Sequence, residues 1–314
     1  MATFVGIDVG GTNFRLGVFA CEAAPKLLEE TRFQADFSQL CLTHQQSPER
    51  AWQAILNTIA QAISTVQSKY PEIVGVGIGF PGFIAPDTQK IASSPNLPGL
   101  YDTNLTLDLS RLIALPVWTV NDALAAAYGE YAQRAQQLDS LIYLGLGTGV
   151  GGGMVLAKQA VAGQHGVAME VGHIIIKPHG RLCGCGNRGC MEQYASASGV
   201  SLSYFESTGQ HESALAIANL ANAGNAAALL AYDLAGSSLA QALAQVLKVV
   251  DISQVVIGGG MRGAWPLMAD AFAKQLDEDL IPVLRGQVGV ALSDLGDQAG
   301  MLGAAMLAKA ASKD

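Results

Sequence analysis

The sequence predicts an α/β protein composed of two similar halves. Short apolar runs typical of strands alternate along the chain with amphipathic stretches typical of helices. A strand, a glycine-threonine turn and a second strand occur at residues 3–20 and again at residues 140–157. The length of 314 residues, at about 150 residues for each domain, is also consistent with two domains.

The first half begins with two strands joined by a tight turn. Residues 3–9 are rich in β-branched and aromatic side chains and end at Gly10, and residues 14–20 resume the strand pattern. Pro48 lies at the start of a helix of about 20 residues, because apolar residues recur at every third or fourth position after it. Residues 73–80 alternate apolar side chains with glycine, so one face of this strand is bare. We expect another backbone, most simply that of a neighbouring helix, to approach that face.

The second half repeats this order of elements. We expect a strand at residues 116–120, a helix at 123–136, a strand at 140–146, a turn at 147–153 and a strand at 154–157. Farther along, the patterns predict a helical region, a strand, a glycine turn, a helix and a last helix at residues 213–249, 254–257, 258–260, 266–276 and 298–311.

Composition excludes several classes of protein. The chain has 18 Lys and Arg against 26 Asp and Glu, a formal net charge of -8, which argues against binding to a nucleic-acid backbone. A hydrophobic fraction of 50% with 36 glycines indicates a globular protein with many turns. The apolar runs fall short of the ~20 residues that cross a membrane. The N-terminal residues lack the pattern of a signal peptide, so we expect a cytoplasmic protein.

Two glycine-threonine turns are typical of phosphate binding. Glycine lets backbone N–H groups converge on an anion, and a threonine hydroxyl adds a donor. One such turn alone is more often an ordinary hairpin, but two in matched positions favour the β- and γ-phosphates of a nucleotide, with Asp8 orienting Mg²⁺ through water. A third turn after a strand suits an adenosine or close packing alone. The three groups are Asp8, Gly10, Gly11, Thr12 and Asn13; Gly147, Thr148 and Gly149; and Gly258, Gly259 and Gly260.

Other nucleotide-binding classes fit less well. The chain has no Gly-x4-Gly-Lys-Ser/Thr motif, which excludes the P-loop class. Gly147, Gly149 and Gly152 match a dinucleotide-binding spacing, but that fingerprint opens a helix, whereas the residues from Gly153 onward are typical of a strand. A nicotinamide oxidoreductase remains an alternative.

Four metal-binding side chains lie within eighteen residues: His173, Cys183, Cys185 and Cys190. One imidazole and three thiolates are a composition typical of tetrahedral zinc, and because such a site is filled by protein ligands we expect a structural ion. The alternative is three reduced cysteines without metal. The metal would fix Glu170 and Glu192 near the imidazole, an arrangement suited to holding a polar ligand.

Asn121 and Asp122 follow a predicted strand and precede a predicted helix. Asp122 at this position is either the N-cap of the helix or a general base at the carboxyl end of a strand, where α/β proteins place their ligands. The local sequence favours neither.

Together, these motifs resemble the ROK family of bacterial sugar kinases and repressors over almost the whole chain. The matching segments, in order, are residues 8–12, 77–82, 96–99, 121–122, 146–153, 170–173 and 183–192. The last two segments are the most specific. One departure is Met169, which stands where members often have glycine before the glutamate.

The resemblance implies an actin-like ATPase fold of two duplicated ribonuclease-H-type domains with ATP and sugar in the cleft between them. We expect an N-terminal α/β domain at residues 1–119, joined by the C-terminal helix at about 299–314, and a C-terminal α/β domain with the zinc loop at 120–298. Family members commonly form homodimers. Family repressors carry an additional N-terminal DNA-binding domain before the phosphate motif, which here begins at Asp8, so we expect an enzyme with no nucleic-acid or membrane partner.

The resemblance also implies the chemistry. Asp122 would accept the proton of a hexose 6-hydroxyl while ATP, Mg²⁺ and the glycine turns align the phosphoryl group. Hydrogen bonds to the sugar would come from Asn96, Asn121, Asp122, Glu170, His173 and Glu192, with His173 also binding zinc. Glucose is the favoured substrate, and the alternatives are N-acetylglucosamine or N-acetylmannosamine, then fructose. A sugar-binding protein without catalysis is a further alternative, which the presence of Asp122 disfavours.

Overall fold

The computed structural model describes residues 2–10, 12–22, 24–93, 97–135 and 137–312. The chain forms two compact units. Unit 1 comprises Met1–Asp139, Gly153–Ala168 and Leu295–Asp314, and unit 2 comprises Ser140–Gly152 and Met169–Asp294. These units follow how compactly the chain packs, whereas the expected domains follow the duplication that the family resemblance implies. The domain boundaries expected at residues 119 and 298 therefore stay a prediction.

The elements are as follows. The strands are β1 (Thr3–Val9), β2 (Asn13–Ala20), β3 (Lys26–Gln34), β4 (Ile73–Phe80), β5 (Phe83–Ile84), β6 (Ile91–Ser93), β7 (Tyr101–Thr103), β8 (Val117–Asn121), β9 (Leu141–Leu146), β10 (Val150–Leu156), β11 (Gln159–Ala160), β12 (Gln254–Gly258) and β13 (Gly289–Leu292). The α-helices are α1 (Phe37–Thr43), α2 (Pro48–Lys69), α3 (Leu105–Ile113), α4 (Asp122–Arg134), α5 (Glu192–Ala195), α6 (Ala197–Thr208), α7 (Ala214–Asn222), α8 (Ala226–Val250), α9 (Ala269–Asp279) and α10 (Gln298–Ala311). Short 3-10 helices lie at Val171–His173, Gly260–Leu267 and Pro282–Leu284.

The main sheet of unit 1 has the strand order β3-β2-β1-β4-β8. β1 is antiparallel to β2 and parallel to β4, and β4 is parallel to β8. A second five-stranded sheet has the order β11-β10-β9-β12-β13, with β9, β12 and β13 parallel. In each of these two sheets, the central strand is the one that comes first in the sequence, β1 in one sheet and β9 in the other. This shared order confirms the duplicated α/β architecture. A small three-stranded sheet, β5-β6-β7, completes unit 1.

Helix α10 covers the bare face of the main sheet. A Cβ on Gly77 would overlap the carbonyl oxygen of Ala304, and a Cβ on Gly6 would overlap that of Met301. The same helix crosses α4 closely, because a Cβ on Gly303 would overlap the carbonyl oxygen of Ala125. The expectation that a helix backbone approaches the glycine face of residues 73–80 is therefore confirmed.

The opposite face of the main sheet packs against the apolar side of α2. Ile55, Ile59 and Ile63 are fully buried there, at the spacing of one helix face, together with Val5 and Ile78 of the sheet. The helix has 22 residues with proline in its first turn, as the sequence predicts.

Two elements begin at residues clearly different from those expected, and one expected helical region is divided in two. The predicted turn at residues 147–153 is shorter, because β10 already begins at Val150; it continues as a strand, so the dinucleotide fingerprint has no helix after it. The predicted helix at residues 266–276 begins later, at Ala269, because Pro266 lies in a 3-10 helix. The helical region at 213–249 consists of α7 and α8.

Within the described residues, no single helix is long and apolar enough to cross a membrane; α7 and α8 reach that length and hydropathy as a pair, with a bend of 116° between them.

Candidate functional site

The first of the two glycine-threonine turns predicted to bind phosphate joins β1 to β2 in unit 1. The Gly10 N–H donates to the Asn13 carbonyl at 2.9 Å, which closes the turn. Thr12 is exposed, and its hydroxyl accepts a hydrogen bond from Asn13 Nδ2 at 3.3 Å. The predicted phosphate contact Gly11 lies outside the described residues. The turn thus presents a hydroxyl to solvent immediately after the strand that carries Asp8.

Asp8 lies in a charged setting at the end of β1. Its pKa is raised from 3.8 to about 7: burial is the largest cause, the Asp122 carboxylate adds to the rise, Arg15 opposes it, and Asp297 adds a smaller rise. Arg15 is paired with Asp297 at 2.5 Å and with Glu30 at 3.8 Å, so its charge is shared among several carboxylates. Two partly buried carboxylates in mutual repulsion form a set of oxygen donors that suits a divalent cation.

The structure shows which residue caps α4, a role that the sequence left open for Asp122. Asn121 is the N-cap of α4: its Oδ1 accepts from the Leu124 N–H at 3.0 Å, and its Nδ2 donates to the Gly82 carbonyl at 3.2 Å. Asp122 is the first helical residue, and its Oδ1 accepts from the Ala123 N–H at 2.9 Å. The interpretation of Asp122 as the N-cap is therefore wrong, since the amide of Asn121 satisfies the helix end.

The pKa of Asp122 is raised by burial, against the opposing effect of its backbone hydrogen bonds. A base with a raised pKa accepts a proton more readily near neutral pH. Asp122 thus lies at the carboxyl end of β8 with a raised pKa, and its role as a general base stays a prediction. The predicted sugar contact Asn96 lies outside the described residues.

An open pocket of about 410 Å³ borders Asn121 within unit 1. Apolar and small side chains form most of its wall, with the Gln89 amide and Thr119 as polar members. The Gln89 Oε1 accepts from the Thr119 N–H at 3.1 Å, so this amide helps to hold the strand that leads to Asn121.

The four predicted metal ligands come together in unit 2. The ligand atoms of His173, Cys183, Cys185 and Cys190 all lie within 4.8 Å of one another. His173 Nδ1 lies 3.6 Å from Cys183 Sγ, and the Sγ atoms of Cys185 and Cys190 are also 3.6 Å apart. Ligands around tetrahedral zinc are separated by roughly 3.5 to 3.8 Å, given its bond lengths. Both of these 3.6 Å separations match tetrahedral zinc, and the four side chains lie close enough together to hold one ion.

The second imidazole nitrogen of His173 lies near a carboxylate. His173 Nε2 lies 3.7 Å from Glu170 Oε2. Glu170 is the centre of a tight turn, with φ -67° and ψ 53°, closed by the Val171 N–H donating to the Met169 carbonyl at 2.6 Å. Met169 itself has φ 67°, a left-handed conformation that is strained for a residue with a side chain. The metal cluster and this turn bring the Glu170 carboxylate and the His173 imidazole together, as the sequence predicts.

The second predicted phosphate turn, at residues 147–149, lies against Glu192. Glu192 Oε2 accepts from the Val150 N–H at 2.9 Å, and a Cβ on Gly149 would overlap the same oxygen. The Ala197 N–H donates to the Gly147 carbonyl at 2.9 Å. Thr148, at the tip of the turn, is exposed.

The third glycine turn is shaped by packing. A Cβ on Gly258 would overlap the Tyr143 ring, and one on Gly259, which has φ 82°, would overlap the Leu146 carbonyl oxygen. A Cβ on Gly260 would meet no atom within 4 Å. The packing alternative thus explains two of the three glycines, and adenosine binding here stays a prediction.

Sequence reasoning missed Arg181, which connects the metal loop to α5 and α6. Its guanidinium donates to the Gln193 carbonyl at 2.5 Å and to Glu206 Oε2 at 2.6 Å, and its Cζ lies 4.5 Å from the Tyr194 ring centroid. The guanidinium also donates to Ser203 Oγ at 3.0 Å. No local motif marks this residue, because its partners lie 12 to 25 positions away in the sequence.

Comparison with known proteins gives a consistent result. The sequence model of the ROK family matches residues 4–311. The chain is 30% identical to the glucokinase of Thermotoga maritima, over 97% of this chain and 96% of that protein. It is also 30% identical to the N-acetylmannosamine kinase of Citrobacter koseri, over 97% and 98%. The ROK family glucokinase of Streptomyces griseus, solved with glucose and AMPPNP, superposes with a TM-score of 0.79 at 28% identity, over 98% of this chain and 99% of that one.

Proposed function

The chain belongs to the ROK family and has its actin-like ATPase fold, and from this premise we propose that it is an ATP-dependent hexose kinase that phosphorylates the 6-hydroxyl of glucose. Support comes from relatives named glucokinase over nearly the full length and from the similarity to a structure that holds glucose and an ATP analogue. The observation that carries the proposal is the position of Asp122, whose carboxylate is left for chemistry because Asn121 caps the helix.

In the proposed reaction, Asp122 accepts the proton of the sugar 6-hydroxyl as its oxygen attacks the γ-phosphorus. The bond between that phosphorus and the β,γ-bridging oxygen breaks, and ADP leaves with the electron pair. Burial raises the pKa of Asp122, which strengthens it as a base. Most of the acceleration in phosphoryl transfer comes from positioning and charge stabilisation, so the side chains that hold the sugar and the phosphates matter as much as the base.

We also assign the side chains that would contact the sugar. In unit 2, Glu170 and the Nε2 atom of His173 lie side by side, and Glu192 begins a helix after the metal loop. Neighbouring carboxylate and imidazole groups suit adjacent hydroxyls of a pyranose, because a carboxylate accepts and an imidazole accepts or donates. The proposal retains Asn96, Asn121 and Asp122 as further contacts.

The ATP contacts would come from the glycine turns. Thr12 and Thr148 are both exposed at the tips of their turns, where the hydroxyls and nearby N–H groups suit phosphate oxygens. The assigned residues are Asp8, Gly10, Gly11, Thr12, Asn13, Gly147, Thr148, Gly149, Gly258, Gly259 and Gly260.

Two metal ions belong to the proposal. Mg²⁺, when bound, neutralises phosphate charge, and Asp8 is the residue that would hold it through water. Zn²⁺ would be held by His173 and the three cysteines as a structural ion, and its effect on the sugar site would be to fix the His173 ring. The homodimer and the cytoplasmic location stay predictions from the sequence.

N-acetylmannosamine is the second candidate substrate. The relatives named N-acetylmannosamine kinase reach 30% to 32% identity, which is no lower than the glucokinases, although several of them cover only 80% of the chain. Glucose is favoured because a similar structure that holds a sugar and an ATP analogue is a glucokinase with bound glucose; coverage does not separate the two candidates, since the Citrobacter koseri enzyme also covers 97% of this chain. N-acetylglucosamine, fructose and mannose complete the set of sugars to test.

The test is ADP release from Mg-ATP with glucose, mannose, fructose, N-acetylglucosamine and N-acetylmannosamine, for the wild type and for Asp122→Asn. We expect release with glucose and a loss of about a hundredfold or more in kcat in the variant. Release with N-acetylmannosamine alone would move the assignment to the second candidate. A folded, zinc-loaded protein that releases ADP with no sugar contradicts the kinase proposal, and full activity of the variant contradicts the role of Asp122.

A further inference from the structure

We propose that Glu192 couples the two substrates: one carboxylate oxygen holds the phosphate turn at residues 147–149 while the other receives the sugar, so that each ligand raises the affinity for the other. This inference rests on the proposed function, because it takes Glu192 as a sugar contact. It adds a role for that residue toward the nucleotide.

The phosphate turn is held at both ends by the segment that begins with Glu192. Glu192 Oε2 accepts from the Val150 N–H at 2.9 Å, directly after the turn, and the Ala197 N–H donates to the Gly147 carbonyl at 2.9 Å, where the turn begins. Gly149 leaves the space that the carboxylate occupies, because a Cβ there would overlap Oε2. The position of the turn therefore depends on the position of the Glu192 carboxylate.

The segment itself is held in place from the other side. Arg181 donates to the Gln193 carbonyl and contacts the Tyr194 ring, and the Met191 N–H donates to the Ile174 carbonyl at 2.9 Å. These contacts fix the backbone of α5, so the Glu192 side chain reaches from a fixed backbone beside the metal loop to the phosphate turn.

A carboxylate has two oxygens with about four acceptor positions, so Oε1 is able to accept a sugar hydroxyl while Oε2 keeps the Val150 N–H. A hydroxyl bound at Oε1 restricts the rotation of the carboxylate and thereby orders the turn before the nucleotide arrives. A nucleotide bound to the turn orders the carboxylate before the sugar arrives, and the two effects are equal in free energy by thermodynamic linkage.

The experiment measures the coupling factor, which is the ratio of the dissociation constants for AMPPNP without and with saturating glucose. Isothermal titration of the zinc-loaded wild type should give a factor of about ten, within the usual range for coupled sites. In Glu192→Ala the factor should fall to near one. In Glu192→Gln the amide oxygen still accepts from Val150, and because a neutral hydrogen bond is roughly half as strong as a charge-assisted one, the factor should return to about three.

Glu170→Ala is the matched control. Glu170 is the other carboxylate assigned to the sugar, and it lies beside His173 at 3.7 Å. This variant should bind glucose more weakly, yet at saturating glucose it should keep the wild-type coupling factor.

Three results would overturn the inference: a wild-type factor near one, a wild-type factor retained in Glu192→Ala, or an equal loss of coupling in Glu170→Ala. A wild type that phosphorylates glucose without coupling removes only this inference, whereas a wild type that binds neither ligand removes the proposed function with it.

Discussion

Gly300, in the first turn of α10, lies directly against the carboxylate of Asp8: a Cβ on Gly300 would stand 2.7 Å from Asp8 Cγ. The helix therefore forms one wall of the carboxylate site and contributes to its burial. Burial is the largest cause of the raised pKa of Asp8, which reaches about 7. The protein thus keeps a carboxyl group where water solvates it poorly, a cost to its ionised form that a bound cation would offset.

The first prediction concerns stability against pH. The folded-state pKa of Asp8 lies above its usual value of 3.8, so the native state binds its proton more tightly than the unfolded chain does. The resulting stabilisation is complete below about pH 4 and is lost as the pH rises through about 7. Asp8→Asn should therefore raise the melting temperature of the ligand-free protein at pH 8 and have little effect at pH 4.

Calorimetry at these two pH values, without nucleotide or Mg²⁺, measures the effect. The same substitution at the exposed Asp87 is the control and should leave the difference between the two pH values unchanged. An Asp8→Asn effect that is the same at both pH values contradicts the account of this carboxyl group.

The second prediction concerns the contact between the main sheet and α10. Gly77→Ala should lower the free energy of unfolding by about 3 kcal/mol or prevent folding, because the methyl group would overlap the Ala304 backbone, which cannot rotate away as a side chain can. Gly263→Ala is the control, since a Cβ there meets no atom within 4 Å, and should change stability by less than about 0.5 kcal/mol. Urea unfolding of both variants checks this. Equal stability of the two would show that the helix does not pack on this face.

The third prediction concerns Met169. Its left-handed backbone costs roughly 1 to 2 kcal/mol, so Met169→Gly should stabilise the protein by about 0.5 to 1 kcal/mol after the greater chain entropy of glycine is subtracted. The same change loosens the turn that holds Glu170, so the KM for glucose should rise. Asp251→Gly relieves a similar strain, φ 51° at the end of α8, and should stabilise the protein without moving KM. If the two variants show the same KM, the turn at Met169 does not position Glu170.

The fourth prediction concerns zinc. The purified protein should contain about one zinc ion per chain, and Cys183→Ala should retain much less of it, because one of the four ligands is removed. Loss of zinc should weaken glucose binding, because the His173 ring is no longer fixed. Cys41→Ala, at a buried cysteine in unit 1, is the control and should keep its zinc. Elemental analysis gives the zinc content, and a wild type that folds and binds glucose without zinc rules out this role.

Much of the fold follows from local patterns. β1, β2, α2, β4, β9 and α10 lie where the periodicity of apolar residues and the glycine and proline positions predict them. The sequence pattern places the start of β10 too late, because its glycines resemble a turn. In the structure, Gly152 and Gly153 make room for the carbonyl oxygens of Met169 and Ala123, respectively. An isolated sequence does not reveal which backbone will approach a glycine, since that depends on contacts distant along the chain.

The candidate site, like the fold, was predictable only where local sequence carries the information. The four zinc ligands were predictable because their side-chain types and spacing carry the chemistry. The residue that caps α4 was not predictable, because Asn and Asp both cap helices. A shift of one residue in the helix start decides whether Asn121 or Asp122 is the cap. The contact between Glu192 and the Val150 N–H leaves no trace in the sequence, since its donor is a backbone group present at almost every residue.

The central claim, transfer of a phosphoryl group to the 6-hydroxyl of glucose, is tested most directly by identifying the product. Phosphorus and proton NMR of a reaction with Mg-ATP and glucose should show a single ester whose phosphorus couples to the two protons on C6. With 6-deoxyglucose, which lacks the attacked hydroxyl, no ester should form, and the sugar should inhibit the reaction in competition with glucose. An ester at another carbon, or phosphorylation of 6-deoxyglucose, would contradict the claim.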